Sequence, residues 1–297
     1  MHTGILAHAT DEDVSRLILQ SLEDGVYLVD TDRRITYWNE GAERITGYLS
    51  QDVIGRRCGD GLLLHAGENG VPLCGTVCPL AATMMDGRPR HLDTFLRHQR
   101  GHRVPVSMRS APVRDGGGTI IGAVEIFHVD SRHYGLLQKF RGLEPFGCLD
   151  PDTGVANREM TLVRLRHRLE DLQVFGIPVG LFMVEIEGRD RVRARGGHAA
   201  WLSLIAAAAR TMAETIPPNG FLGRWEEHRF LGLLGNSDPM TLHELTARLA
   251  GLVQATDVVW WGDALRTTVS IRSAMAEPGE SPESAVARVA ESIVDSR

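Results

Sequence analysis

Hydrophobic and polar positions along this chain follow two periods, and the changes of period mark out the elements. Val14, Leu17, Ile18 and Leu22 fall at helical spacing, so residues 11–23 predict an amphipathic helix with Asp11, Glu12 and Asp13 at its positive end. Two short strands follow, at 25–30 and 35–39, around a turn at 31–34. A short helix spans 40–46, with Gly47 placed to cap it. Residues 101–108 and 120–127 alternate as half-buried antiparallel strands do, around the turn Asp115-Gly116-Gly117-Gly118. Residues 130–145 read as a connection. A few helical turns at 133–140 stop early at Gly142 and Pro145. Beyond Leu149, helices at 158–174, 199–216, 241–255 and 282–294 alternate with strands at 179–186 and 267–271. Between the second and third of these helices, two apolar runs, 220–223 and 231–234, flank the charged stretch Arg224-Trp225-Glu226-Glu227-His228-Arg229-Phe230, which predicts a β-hairpin with a charged tip. The pattern predicts two α+β domains. The first is an antiparallel sheet with helices, and the second is an α/β domain with a central sheet.

Bulk properties narrow the function. A chain of 297 residues with 43% apolar content supports two packed cores. A formal charge of -6 argues against nucleic acid or an anionic membrane as a main partner. No apolar run approaches the roughly 20 residues that span a bilayer. The start Met1-His2-Thr3-Gly4 does not open a signal peptide. The expected location is cytoplasmic. Thiols stay reduced there, and clustered cysteines point to metal or redox chemistry.

The first half resembles a PAS sensor domain. The residues that carry the likeness are Asp24-Gly25, Val29-Asp30, Ile35-Thr36-Tyr37-Trp38-Asn39, Ala42-Glu43, Thr46-Gly47-Tyr48 and Ile54-Gly55-Arg56, then the two later strands. The second half resembles a GGDEF domain. Asp150-Pro151-Asp152-Thr153-Gly154-Val155-Ala156-Asn157-Arg158 is similar to that family's opening signature. Gly197-His198 and Thr268-Val269-Ser270-Ile271 match later motifs, with Arg272 in place of a glycine. The implied layout is a PAS domain with its N-terminal helix over 1–131, a linker over 132–148 and a degenerate GGDEF domain over 149–297.

Members of the GGDEF family that act as diguanylate cyclases join two GTP molecules into cyclic di-GMP, each subunit of a dimer holding one GTP. Two carboxylates hold divalent metal against the triphosphate. At the first carboxylate position this chain carries Glu185-Ile186-Glu187. At the second it carries His228, followed by Arg229. A hard Mg²⁺ ion prefers oxygen to imidazole, and a guanidinium cannot ligate it. Glu226 and Glu227 replace the paired glycines that let backbone approach the nucleotide. Arg193 and Leu202, beside Trp201, stand where the resemblance implies guanine-reading residues. Pro217-Pro218-Asn219-Gly220 replaces the Arg-x-x-Asp inhibition site. No Mg-GTP is expected. Glu185, Glu187, His228 and Arg229 read as vestigial positions, the carboxylates at a solvated strand end and the hairpin tip likewise solvated.

Three of the four cysteines cluster in the first half. Cys58, His65, Cys74 and Cys78 make a Cys3His set suited to tetrahedral Zn²⁺ or to an iron centre, although the spacing matches neither a zinc finger nor a ferredoxin. The bland alternative is a reduced thiol cluster with Cys58 in the core. The segment also resembles a PAS variant found before some GGDEF domains, with Leu-Cys-x3-Cys-Pro-Leu. Cys148 reads as a packing residue.

These readings converge on a non-catalytic signalling protein. Its PAS domain senses metal, redox state or a small ligand, and its GGDEF domain serves as an interaction module. The resemblance implies a homodimer, with another signalling protein as a further partner. The alternatives are a cyclase with residual GTP chemistry through Glu185 and Glu187, and a nucleotide-binding module.

Overall fold

The computed structural model describes residues 10–75, 77–130, 140 and 146–291. The predicted linker helix at 133–140 lies almost wholly outside them, as do the last residues of the predicted final helix. The chain divides into two compact units. One comprises 1–65, 72–99 and 106–129, and the other comprises 66–71, 100–105 and 130–297.

The first unit opens with α1 (Asp11–Ser21). Leu17 and Ile18 on this helix remain 65% and 55% exposed. A five-stranded antiparallel sheet follows. It is built from β1 (Gly25–Asp30), β2 (Ile35–Trp38), β3 (Arg90–Arg97), β4 (Arg103–Arg114) and β5 (Ile120–Val129), in the order β2-β1-β5-β4-β3. Helices α2 (Glu40–Thr46), α3 (Ser50–Val53) and α4 (Pro79–Asp86) fill the span between β2 and β3. Asn39 organises the entry to α2. Its Oδ1 accepts from the Ala42 and Val26 amides, each at 2.8 Å, and its Nδ2 donates to the Leu19 and Asp24 carbonyls. One side chain thereby ties a helix start to the first strand. Gly47 closes α2 at φ 77°, as predicted. The core between sheet and helices includes Val26, Tyr27, Trp38, Leu62, Leu80, Phe95 and Phe127.

The second unit is a four-stranded antiparallel sheet with helices against it. Its elements are α5 (Arg158–Phe175), β6 (Val179–Glu187), α6 (Arg189–Thr215), β7 (Gly220–Glu226), β8 (Arg229–Gly235), α7 (Pro239–Gln254), β9 (Asp257–Trp260), β10 (Asp263–Arg266), β11 (Thr268–Met275) and α8 (Pro282–Glu291). The sheet order is β11-β6-β8-β7, and β9 pairs separately with β10. The predicted hairpin is β7 and β8, with the tip at Glu227 and His228. The helix predicted over 199–216 starts ten residues earlier, at Arg189, and breaks at Gly197, whose φ of 72° and ψ of -169° interrupt it. The β9–β10 hairpin is an addition to the sequence reading. Trp261 and Gly262 form its two-residue turn, both at positive φ.

The opening signature of the second half has a physical basis. Asp150 Oδ1 accepts from the Thr153 amide and hydroxyl, and Gly154 takes φ 70°. Asn157 caps α5 by accepting from the Met160 amide. The hairpin packs directly on this turn and helix. A Cβ on Gly223 would lie 1.7 Å from Thr161 Oγ1, so only glycine allows the approach. The Arg158 guanidinium sits 4.7 Å from the centre of the Trp225 ring.

Candidate functional sites

The first site lies at the end of β6, beside the hairpin tip. In the register of β6 and β8, Glu185 stands directly opposite Arg229. Arg229 Nε donates to Glu185 Oε2 at 3.2 Å, and His228 Nε2 is 3.5 Å from Glu185 Oε1. The neighbouring strand β11 brings Arg272 Nη1 within 3.9 Å of the same carboxylate. The two acids of the tip are engaged as well. Glu226 pairs with Arg229 at 3.4 Å, and Glu227 pairs with Arg189, the first residue of α6, at 3.1 Å. Glu185 and the tip residues stay partly exposed and meet in surface ion pairs, Glu185 and Glu226 through Arg229 and Glu227 through Arg189. Glu187 is exposed and accepts from the Thr268 hydroxyl at 3.1 Å. Trp201 is fully buried and Arg193 is exposed.

A second arginine holds the hairpin from beneath. Arg224 Nη1 reaches Asp150 Oδ1 at 2.9 Å and Asp152 Oδ2 at 2.7 Å, and Nη2 donates to the Glu227 carbonyl at 2.9 Å. Its backbone amide donates to the Ala156 carbonyl at 2.8 Å. The opening turn and the hairpin tip thus share one guanidinium.

The second site is inside the first unit. His65, Cys74 and Glu125 form a chain of polar groups. His65 Nε2 is 2.9 Å from Glu125 Oε1, and Cys74 Sγ is 3.5 Å from His65 Nδ1. Glu125 is fully buried and His65 nearly so. Glu125 lies on β5, opposite Tyr27 of β1 and Ser110 of β4. Its Oε2 and the Tyr27 hydroxyl are buried without a hydrogen bond of good geometry. Burial alone would lower the His65 imidazole, but the Glu125 carboxylate overrides it and carries the pKa up to about 10. Burial works against the Cys74 thiolate, but the His65 hydrogen bond and charge outweigh it and lower this thiol. Burial, reinforced by negative charge at Glu125, Cys78 and Cys74, pushes the Cys58 thiol up to about 12.

Of the predicted Cys3His set, the structure brings His65 and Cys74 into contact. Cys58 lies within electrostatic reach of Cys74 and of Cys78. Among the described residues, no three histidine, cysteine or acidic side chains are gathered closely enough to hold an ion. Cys74 and Cys78 line an open cleft of about 750 Å³ that Thr31, Arg33 and Met85 also border. Sequence reading missed Glu125. Its flanking residues Val124 and Ile126 are apolar, but so are Ala123 and Phe127, so hydropathy does not choose the inward face. The structure buries Ala123, Glu125 and Phe127. No described helix is long and apolar enough to cross a membrane.

Comparison with known proteins agrees with both halves. Residues 23–130 match the family model of the PAS domain, and residues 148–295 match that of the diguanylate cyclase, GGDEF domain. The chain belongs with the proteins that join a PAS domain to a GGDEF domain. The probable diguanylate cyclase DgcE of Escherichia coli (strain K12) is 23% identical over 256 residues, 86% of this chain. The chain spans 22% of that relative's length. Among solved structures, diguanylate cyclase SiaD in complex with its activator SiaC, from Pseudomonas aeruginosa, is 27% identical with a TM-score of 0.48, over 52% of this chain and 60% of that one. The GGDEF domain of DgcB from Caulobacter crescentus, in complex with c-di-GMP, is 19% identical with a TM-score of 0.47, over 48% of this chain and 86% of that one.

The GGDEF match implies GTP and a divalent metal at the end of β6. The residues present do not fit them. A dication placed against Glu185 would meet the Arg229 guanidinium and the His228 imidazole on the same carboxylate. Like charges about 4 Å apart repel by about 4 kcal/mol per unit charge at a partly screened site.

Proposed function

We infer that this PAS–GGDEF signalling protein uses its GGDEF domain as a non-catalytic module and its PAS domain as the sensor. One observation carries the reading: three departures from the family pattern, His228, Arg229 and Arg272, converge on the one carboxylate retained at the first metal position. Independent drift at tolerant positions would scatter such changes. Here three replacement side chains, none of them an oxygen ligand, gather at Glu185, and Glu226 is a second partner of Arg229. Glu226 and Glu227 add carboxylates where a triphosphate would need clearance. The sheet, the hairpin and the opening turn are kept, which preserves a surface for a second copy of the chain or for another signalling protein.

Calorimetric titration of the full chain with GTP in the presence of Mg²⁺ is expected to give no heat beyond dilution. Saturable binding that disappears in Glu185→Ala would overturn the reading.

A further inference from the structure

The first unit holds a buried histidine whose two nitrogens are both committed. Nε2 meets the Glu125 carboxylate at 2.9 Å, and Nδ1 faces the Cys74 sulfur at 3.5 Å. This is the arrangement that metal-ligating histidines adopt, one ring nitrogen towards the ion and the other towards a carboxylate that fixes the tautomer. The distance fits as well. A nitrogen at about 2.05 Å and a sulfur at about 2.3 Å from one tetrahedral metal stand about 3.5 Å apart. Without metal, the same separation is served by a thiol–imidazole hydrogen bond.

Further observations point to a ligand. Glu125 Oε2 is fully buried and has no hydrogen-bond partner of good geometry, so the carboxylate is held where its charge is expensive. Cys58 lies within electrostatic reach of Cys74 and of Cys78, and all three thiols are free. Cys74 and Cys78 line the open cleft, which gives an ion access to both sulfurs. Soft sulfur donors with one imidazole select a thiophilic divalent ion over Mg²⁺ or Ca²⁺.

We propose that His65 Nδ1 and Cys74 Sγ are the first two ligands of a thiophilic divalent metal, Zn²⁺ or Fe²⁺, with Cys78 and Cys58 completing the set and Glu125 orienting the imidazole. Binding draws the Cys78 and Cys58 thiols onto the ion, so metal loading repacks the segment that leads into α4. This deepens the sensory reading of the PAS domain and is independent of whether the GGDEF domain turns over GTP. Failure here leaves the nucleotide titration untouched, and the reverse holds too.

The test uses the untagged full chain, purified without chelator under anaerobic conditions. Metal analysis is expected to find close to stoichiometric zinc or iron, and the absorption spectrum distinguishes a coloured iron centre from colourless zinc. Metal-stripped protein titrated with Co²⁺ is expected to develop thiolate-to-cobalt charge-transfer bands and intense tetrahedral visible bands. Cys74→Ser, at a partly exposed position, is expected to keep the wild-type circular dichroism spectrum and lose the metal. Glu125→Gln is expected to retain the cobalt spectrum with affinity reduced about 10–100-fold, the usual cost of losing an orienting carboxylate. Either of two results would overturn the proposal: no metal in the purified chain and no cobalt–thiolate bands on titration, or bands that survive Cys74→Ser unchanged. The cluster would then be a hydrogen-bonded thiol–imidazole pair.

Discussion

In the metal-free protein, His65→Ala is expected to destabilise the first domain by about 3–5 kcal/mol, the usual cost of stranding one member of a buried ion pair. Glu125 is fully buried on the central strand of its sheet, and His65 is 4% exposed. Removing the imidazole leaves the carboxylate with neither water nor a cation. The double variant His65→Ala/Glu125→Gln should recover much of the loss, because the stranded charge is gone. The pair also sets a pH dependence. The His65 pKa rises on folding from 6.5 to about 10. A raised imidazole contributes stability that is fully present below the unfolded value and is lost as pH climbs through the folded one. Between about pH 6.5 and 8.5, the His65 contribution should therefore fall, the lowered Cys74 thiol should act in the opposite direction as it ionises, and His65→Ala should lack both components. Urea denaturation across this range reads both effects. A loss under about 1 kcal/mol in His65→Ala would mean that the pair is not buried as described.

Arg224→Ala should produce the second large loss, about 2–3 kcal/mol, in the other domain. A fully buried pair would cost more. The estimate is reduced because Asp152 is 39% exposed and water can screen it, although Arg224 and Asp150 are 9% and 16% exposed. The guanidinium bridges two acids of the opening turn and a carbonyl of the hairpin tip, so its removal frees three acceptors at once. Arg224→Lys should restore charge without the fork and recover only part of the loss. Thermal or urea unfolding of the three proteins measures this. Equal stability of Arg224→Ala and wild type would show that the hairpin is held by sheet pairing and Thr161 packing alone.

Most elements were legible from period and punctuation. The apolar runs 220–223 and 231–234 could only pair around their charged centre, and Gly47 could only follow a helix. The failures have physical causes. The β9–β10 hairpin was missed because Asp257 and Asp263 begin its strands and tryptophans crowd the turn. The signal that could have found it was Gly262 in a two-residue loop, where positive φ is needed. Glu125 was missed because a glutamate set among apolar residues of both faces gives no sign of which face is inward. The strand buries its glutamate and leaves Ile126 outward, since His65 supplies the partner that makes burial tolerable. Nor could the sequence bring Glu185, His228, Arg229 and Arg272 together, since strand register decides which side chains meet and the four lie on three strands and the hairpin turn. The replacements were legible one by one. Their convergence on Glu185 was visible only in the fold.

Turnover separates a silent GGDEF domain from a working cyclase most directly. Purified full-length chain, incubated with GTP and either Mg²⁺ or Mn²⁺ at concentrations that favour dimers, is predicted to form no cyclic di-GMP by chromatography and mass spectrometry. Cyclic di-GMP production that Glu185→Ala abolishes would contradict it.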